Sequence, residues 1–151
     1  MKYSDPWEPI LMTLATDSHE GNQARDAGTS VDESKKTILI YSPDLNFCFS
    51  LSMLFQDRYN VITTTNPGML SKFVADYSAD LVIVDAVPSE KMIERLSGLR
   101  GLNKLLPIIM LYVYSAKDVY LDQKIRAQVD SVFYKPFDLG AVSKRIEELL
   151  S

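Results

Sequence analysis

Five short aliphatic runs, each followed by a stretch of helical spacing, limit what this chain can fold into. The runs are Thr37-Ile-Leu-Ile-Tyr41, Val61-Ile-Thr-Thr-Thr65, Leu81-Val-Ile-Val84, Pro107-Ile-Ile-Met-Leu111 and Ser131-Val-Phe-Tyr134. The first is too short and too aliphatic for a surface helix, and the third is apolar on both faces, as a strand covered on both sides must be. Between the runs, apolar residues recur three and four apart: Phe47, Leu51, Leu54 and Phe55; then Leu70, Phe73, Val74 and Tyr77; then Met92, Ile93, Leu96 and Leu99. A helix is expected over residues 119–127, and a last one carries Leu139, Val142, Ile146, Leu149 and Leu150. Ser42-Pro43-Asp44 reads as a helix start, with serine at the N-cap, proline at the first position and an acid in the first turn. Asn66-Pro67 repeats the pattern, and Ser89 caps the third helix.

Five β/α units with continuous apolar strands predict an α/β three-layer sandwich, a parallel five-stranded sheet with helices on both faces. Right-handed crossovers leave few topologies, and the flavodoxin-like (βα)5 order 2-1-3-4-5 is the common one. In such sheets chemistry sits beyond the carboxyl ends of the strands. The residues placed there are Ser42, Pro43 and Asp44 after strand 1, Asp85 after strand 3, Tyr112 and Val113 after strand 4, and Lys135 after strand 5.

The rest of the chain frames this domain. Residues 17–36 hold one sizeable apolar side chain, Val31, so residues 1–36 are expected to form a flexible tail and residues 37–151 the folded domain. Within the tail, Trp7-Glu-Pro-Ile-Leu-Met-Thr-Leu14 is an apolar island, read either as an element resting on its own domain or as a docking peptide for a partner groove. His19, the single histidine, has no companion for metal binding. The single cysteine, Cys48, cannot form an intramolecular disulfide, and it lies at core spacing from Leu51 and Phe55. With no apolar run near the length of a membrane span, no cationic leader and a net charge of −4, the expectation is a cytoplasmic protein with no nucleic-acid or membrane partner.

Asp85 closing an apolar third strand, Pro107 opening the fourth and Lys135-Pro136-Phe137 closing the fifth resemble the receiver domain of two-component response regulators, a CheY-like fold. The resemblance covers Thr37 to Ser151. It implies that Asp85 is the phosphoacceptor, that Lys135 pairs with the phosphate, and that the bond between Lys135 and Pro136 is cis. It implies a protein partner, a histidine kinase or a downstream effector, and no enzyme activity in the ordinary sense. A carboxylate nucleophile needs charge neutralised on the incoming phosphoryl oxygens, and an ammonium supplies part of that.

The chain departs from the family pattern at several places. Where receivers carry two acids that hold Mg²⁺ with the phosphoacceptor, Ser42 and Pro43 stand, and Asp44 comes one place late. Serine is a poor ligand for this ion and proline offers none, so Asp85 is the one carboxylate placed for a metal and Mg²⁺ is expected to bind weakly at most. The hydroxyl position after strand 4 falls on Tyr112 counting forward from Pro107 and on Val113 counting back from Lys135. The position of the family's switch aromatic holds Val132, and Gln128 stands where a helix-ending glycine is common.

Each of these residues also has a plain structural reading. Asp85 and Lys135 would form an ion pair at the rim, Ser42-Pro43-Asp44 is a capping sequence, and Tyr112 packs over the vacated metal position. Lys124, Arg126, Lys144 and Arg145 form a solvated face on the fourth and fifth helices. Receivers use that face, helix 4–strand 5–helix 5, for dimers or effectors. The favoured reading is an atypical single-domain receiver acting through protein contact with little or no Mg²⁺-dependent phosphorylation. The alternative is a working phosphoacceptor modified on Asp85. A flavin- or nucleotide-binding enzyme of this architecture is disfavoured, because the first loop has no glycine and Pro43 removes a backbone amide.

Overall fold

The computed structural model describes residues 31–151. Residues 1–30 of the expected tail, with the Trp7–Leu14 island and His19, lie outside the described residues. The elements run β1 (Thr37–Tyr41), α1 (Leu45–Phe55), β2 (Asn60–Thr64), α2 (Leu70–Asp76), β3 (Leu81–Asp85), α3 (Glu90–Leu102), β4 (Ile108–Tyr112), α4 (Val119–Gln128), β5 (Ser131–Tyr134) and α5 (Leu139–Leu150). Short 3₁₀ turns at Pro67–Met69 and Ala116–Asp118 lead into α2 and α4. All strand pairs are parallel and the order is β2-β1-β3-β4-β5, as the sequence predicts. None of the described helices is long and apolar enough to cross a membrane.

Alternation along the strands divides the core in two, because successive strand side chains point to opposite faces. Leu39, Tyr41, Val82, Val84, Ile108, Met110 and Tyr112 face α2, α3 and α4, where Leu70, Val74, Leu96, Leu99 and Ile125 meet them. Ile38, Ile40, Leu81, Ile83, Ile109 and Leu111 face α1 and α5, packing on Leu51, Phe55, Val142 and Ile146. β1, β3 and β4 are buried throughout, while β2 and β5, at the sheet edges, are half-buried.

Two details depart from the sequence reading. The N-cap of α1 is Asp44, not Ser42: the Asp44 carboxylate accepts from the amides of Asn46 and Phe47 at 2.9 and 3.4 Å. Ser42 is drawn off by a partner remote in sequence, described below. At the other end of the sheet, Arg100 supplies the ending that a glycine would have given α4. Its Nε donates to the Gln128 carbonyl at 3.0 Å, while Nη1 reaches the carbonyls of Lys104 and Leu106 and Nη2 the Asp130 carboxylate at 2.8 Å. Asp130 in turn accepts from the Ile108 amide at 2.8 Å. Just ahead of β1, Asn60 exchanges hydrogen bonds with the backbone of Asp32 and donates to the Lys35 carbonyl, so residues 32–35 lie against the start of β2.

Candidate functional site

The carboxyl ends of β1, β3 and β5 bring three sequence-predicted residues together. Asp85 ends β3 with its side chain on the α1/α5 face and is 6% exposed. Ser42, one residue past β1, is fully buried, and its hydroxyl donates to Asp85 Oδ2 at 2.7 Å. The same hydroxyl oxygen accepts from the Asp44 amide at 3.0 Å. Lys135, one residue past β5, places its ammonium on Asp85 Oδ1 as an ion pair. Both carboxylate oxygens are therefore engaged by side chains of this chain. The Lys135–Pro136 peptide bond is cis. The Lys135 ammonium lies over the Phe47 ring at 5.2 Å from its centroid, and Phe137 packs edge-on against Phe47.

Cys48 lies just under this pocket, fully buried, with its thiol directed at the carbonyls of Ser42 and Thr64. Burial pushes that thiol up to about 11, and the nearby carboxylates of Asp85 and Asp44 add to the effect. Tyr41 is raised as well, first by burial and then by Asp85.

Whether these residues could hold Mg²⁺ follows from their donor set. The ion demands near-octahedral oxygen coordination, anchored by carboxylates with waters retained. Pro43 has no donor atom in its side chain, and the Asp44 carboxylate is turned to the amides of Asn46 and Phe47. Asp85 has its two oxygens on Ser42 and Lys135. Among the described residues no group of three or more His, Cys, Asp or Glu side chains converges on a metal position. The residues present do not fit the ion.

The remaining predicted positions separate from this pocket. Tyr112 does not pack over Ser42 and Pro43, as the sequence suggested it would. Strand alternation turns it to the opposite face, where it is buried and its phenol donates to Asp122 of α4. Val113 has the same parity as Asp85 and Lys135, and it is 66% exposed with no polar side-chain atom to offer. Val132 packs into the α2/α3/α4 core. Arg126 and Arg145 are not merely solvated: Arg126 joins Asp122, and Arg145 donates to the Ser131 hydroxyl and the Asp130 carbonyl.

The sequence reading missed the cluster that Tyr112 joins. Asp122, 8% exposed, accepts from Tyr112, from the Tyr134 phenol at 2.7 Å and from Arg126 Nε at 3.2 Å. Arg126 also donates to the Tyr134 oxygen at 2.6 Å and lies over its ring. Tyr134 packs edge-on against Tyr112 and Tyr114. Burial alone would raise Asp122, but hydrogen bonds from the two phenols and the Arg126 charge outweigh it and hold the carboxyl below its ordinary value. Burial and the bond to Asp122 raise Tyr112. The signal available in sequence was slight: Tyr112 and Tyr134 pair only once β4 and β5 are in register.

No protein-family model matches the chain. Solved structures do. A CheY-like response-regulator receiver domain protein of Methanospirillum hungatei superposes with a TM-score of 0.68 at 21% identity, covering 77% of this chain and 94% of that one. The chemotaxis protein CheY4 of Vibrio cholerae gives 0.66 at 21% identity over 77% and 99% of the two chains. The N-terminal signal receiver domain of a two-component response regulator from Bacteroides fragilis gives 0.65 at 18% identity over 78% and 98%. The fold is the one shared by these receiver domains.

Proposed function

We propose that this chain is a receiver-fold signalling module that acts by protein contact and has set aside the Mg²⁺-dependent phosphorylation cycle. The observation that carries the reading is the closed set around Asp85, with one oxygen on the buried Ser42 hydroxyl and the other on the Lys135 ammonium. Phosphoryl transfer relies on positioning and on cations that neutralise the equatorial oxygens, and among the described residues Lys135 is the cation paired with Asp85. The pocket is built as a stable ion pair that fixes the ends of β1, β3 and β5. The module is not an enzyme. Its partners are proteins, a histidine kinase or a downstream effector, met in the cytoplasm through the face of α4, β5 and α5, where a second copy could also dock.

One observation favours the other reading. The Lys135 ammonium already lies on the Asp85 carboxylate, where it would meet a phosphoryl group. The two readings part on the intact mass of the protein after incubation with acetyl phosphate and Mg²⁺, beside Asp85→Ala and a conventional receiver labelled in the same buffer. The contact-module reading expects no adduct. One added phosphoryl group, absent from Asp85→Ala, would overturn it.

A further inference from the structure

The Asp122 cluster belongs to a different face from the Asp85 pocket, and one buried carboxylate there gathers donors from three elements: Tyr112 at the end of β4, Tyr134 at the end of β5 and Arg126 on α4 itself. From this arrangement we infer that α4 is latched to the sheet through Asp122, and that the latch rather than the state of Asp85 sets the conformation of the α4–β5 face. The latch concerns α4 and stands whether or not Asp85 accepts a phosphoryl group.

Three observations support it. The carboxylate is ionised at neutral pH and nearly enclosed, so each of its hydrogen bonds is charge-assisted and costly to release. Val113, just past β4, and Val132, on β5, have no polar side-chain atom with which to carry a hydrogen bond between Asp85 and this face. The side-chain bonds of Asp85 run to Ser42 and Lys135, away from the Asp122 cluster. The two clusters meet through backbone, by the Lys135 amide on the Tyr112 carbonyl at 2.9 Å. The Tyr134 ring, packed against Tyr112 and Tyr114 and covered by Arg126, is pinned by the bond to Asp122.

Hydrogen–deuterium exchange by mass spectrometry on the full chain tests the latch, comparing wild type, Asp122→Asn, Tyr134→Phe and Asp85→Ala. Losing a hydrogen bond to a charged group predicts exchange over residues 112–128 faster by about tenfold or more in Asp122→Asn, with a smaller rise in Tyr134→Phe. Residues 37–64 serve as the control segment, and their exchange should hold at the wild-type rate in both variants. In Asp85→Ala, exchange over residues 112–128 should change no more than it does over α2 (Leu70–Asp76), which lies outside the Asp85 pocket. The latch is overturned if Asp85→Ala speeds α4 more than it speeds α2, or if Asp122→Asn leaves α4 unchanged. A uniform rise across the chain in both Asp122→Asn and Tyr134→Phe would equally overturn it, since the cluster would then be ordinary core stability.

Discussion

Replacing Ser42 by alanine removes one oxygen atom that does two things. The hydroxyl donates to Asp85 Oδ2 at 2.7 Å and accepts from the Asp44 amide at 3.0 Å, in a site with no exposure to water. A hydrogen bond to a charged group contributes about 1.5–3 kcal/mol. Asp85 keeps Lys135 on its other oxygen, and its freed oxygen, on a side chain only 8% exposed, meets little solvent. We therefore expect Ser42→Ala to cost about 2 kcal/mol, or roughly 5–12 °C in Tm for a domain of this size. Urea unfolding followed by far-ultraviolet circular dichroism should show a lower midpoint with an unchanged slope. A double-mutant cycle with Asp85→Ala isolates the bond, and the serine substitution should cost at least ~1 kcal/mol less once the carboxylate is gone. Equal costs in the two backgrounds would refute the claim that this hydroxyl is held for Asp85.

Two further perturbations bear on other parts of the molecule. Arg100→Ala should cost on the order of 2–4 kcal/mol by stripping three carbonyls and Asp130 of a shared partner, and Arg100→Lys should recover little because an ammonium cannot reproduce the planar fork; full rescue by lysine in a denaturant titration would contradict the geometry. For Cys48, a folded value of about 11 against an ordinary 9.0 means that the native state holds its proton more tightly. That contribution is complete below pH 9 and is lost as pH rises through 11, so the urea midpoint of wild type should fall further over this window than that of Cys48→Ala.

The sheet was legible because its information is local. Aliphatic runs such as Leu81–Val84 can be buried on both faces only in a covered parallel strand, and β1 to β5 pair in the order those runs predict. Asp85 and Lys135 were legible because each stands at or directly past the end of a strand and the topology carries both to one rim. The parts that were not legible depend on partners far apart in sequence. Ser42 looks like a cap beside Pro43 until the 43-residue separation to Asp85 is closed, after which Asp44 takes the capping role. Tyr112 was misplaced because strand parity decides its face, and a one-residue uncertainty in a count reverses parity. Asp122 reads as a solvated helix position between Leu121 and Gln123, and nothing near it in sequence announces two phenols arriving from β4 and β5.

Arg100 makes the two rims of the sheet mechanically unequal. Like the spine of a book, it binds together the end of α3, the connection to β4, the last turn of α4 and the approach to β5, on the edge opposite Asp85. Leu105 sits in the middle of that spine, 89% exposed, between two residues whose carbonyls Arg100 holds and with its own amide on the Asn103 side chain. It is a natural anchor for a spectroscopic reporter. Cys48, the sole cysteine of the sequence, is walled in and stays protonated at neutral pH, so Leu105→Cys would present one reactive thiol on a fixed frame. Distances measured from there to the opposite rim would register movement of that rim alone.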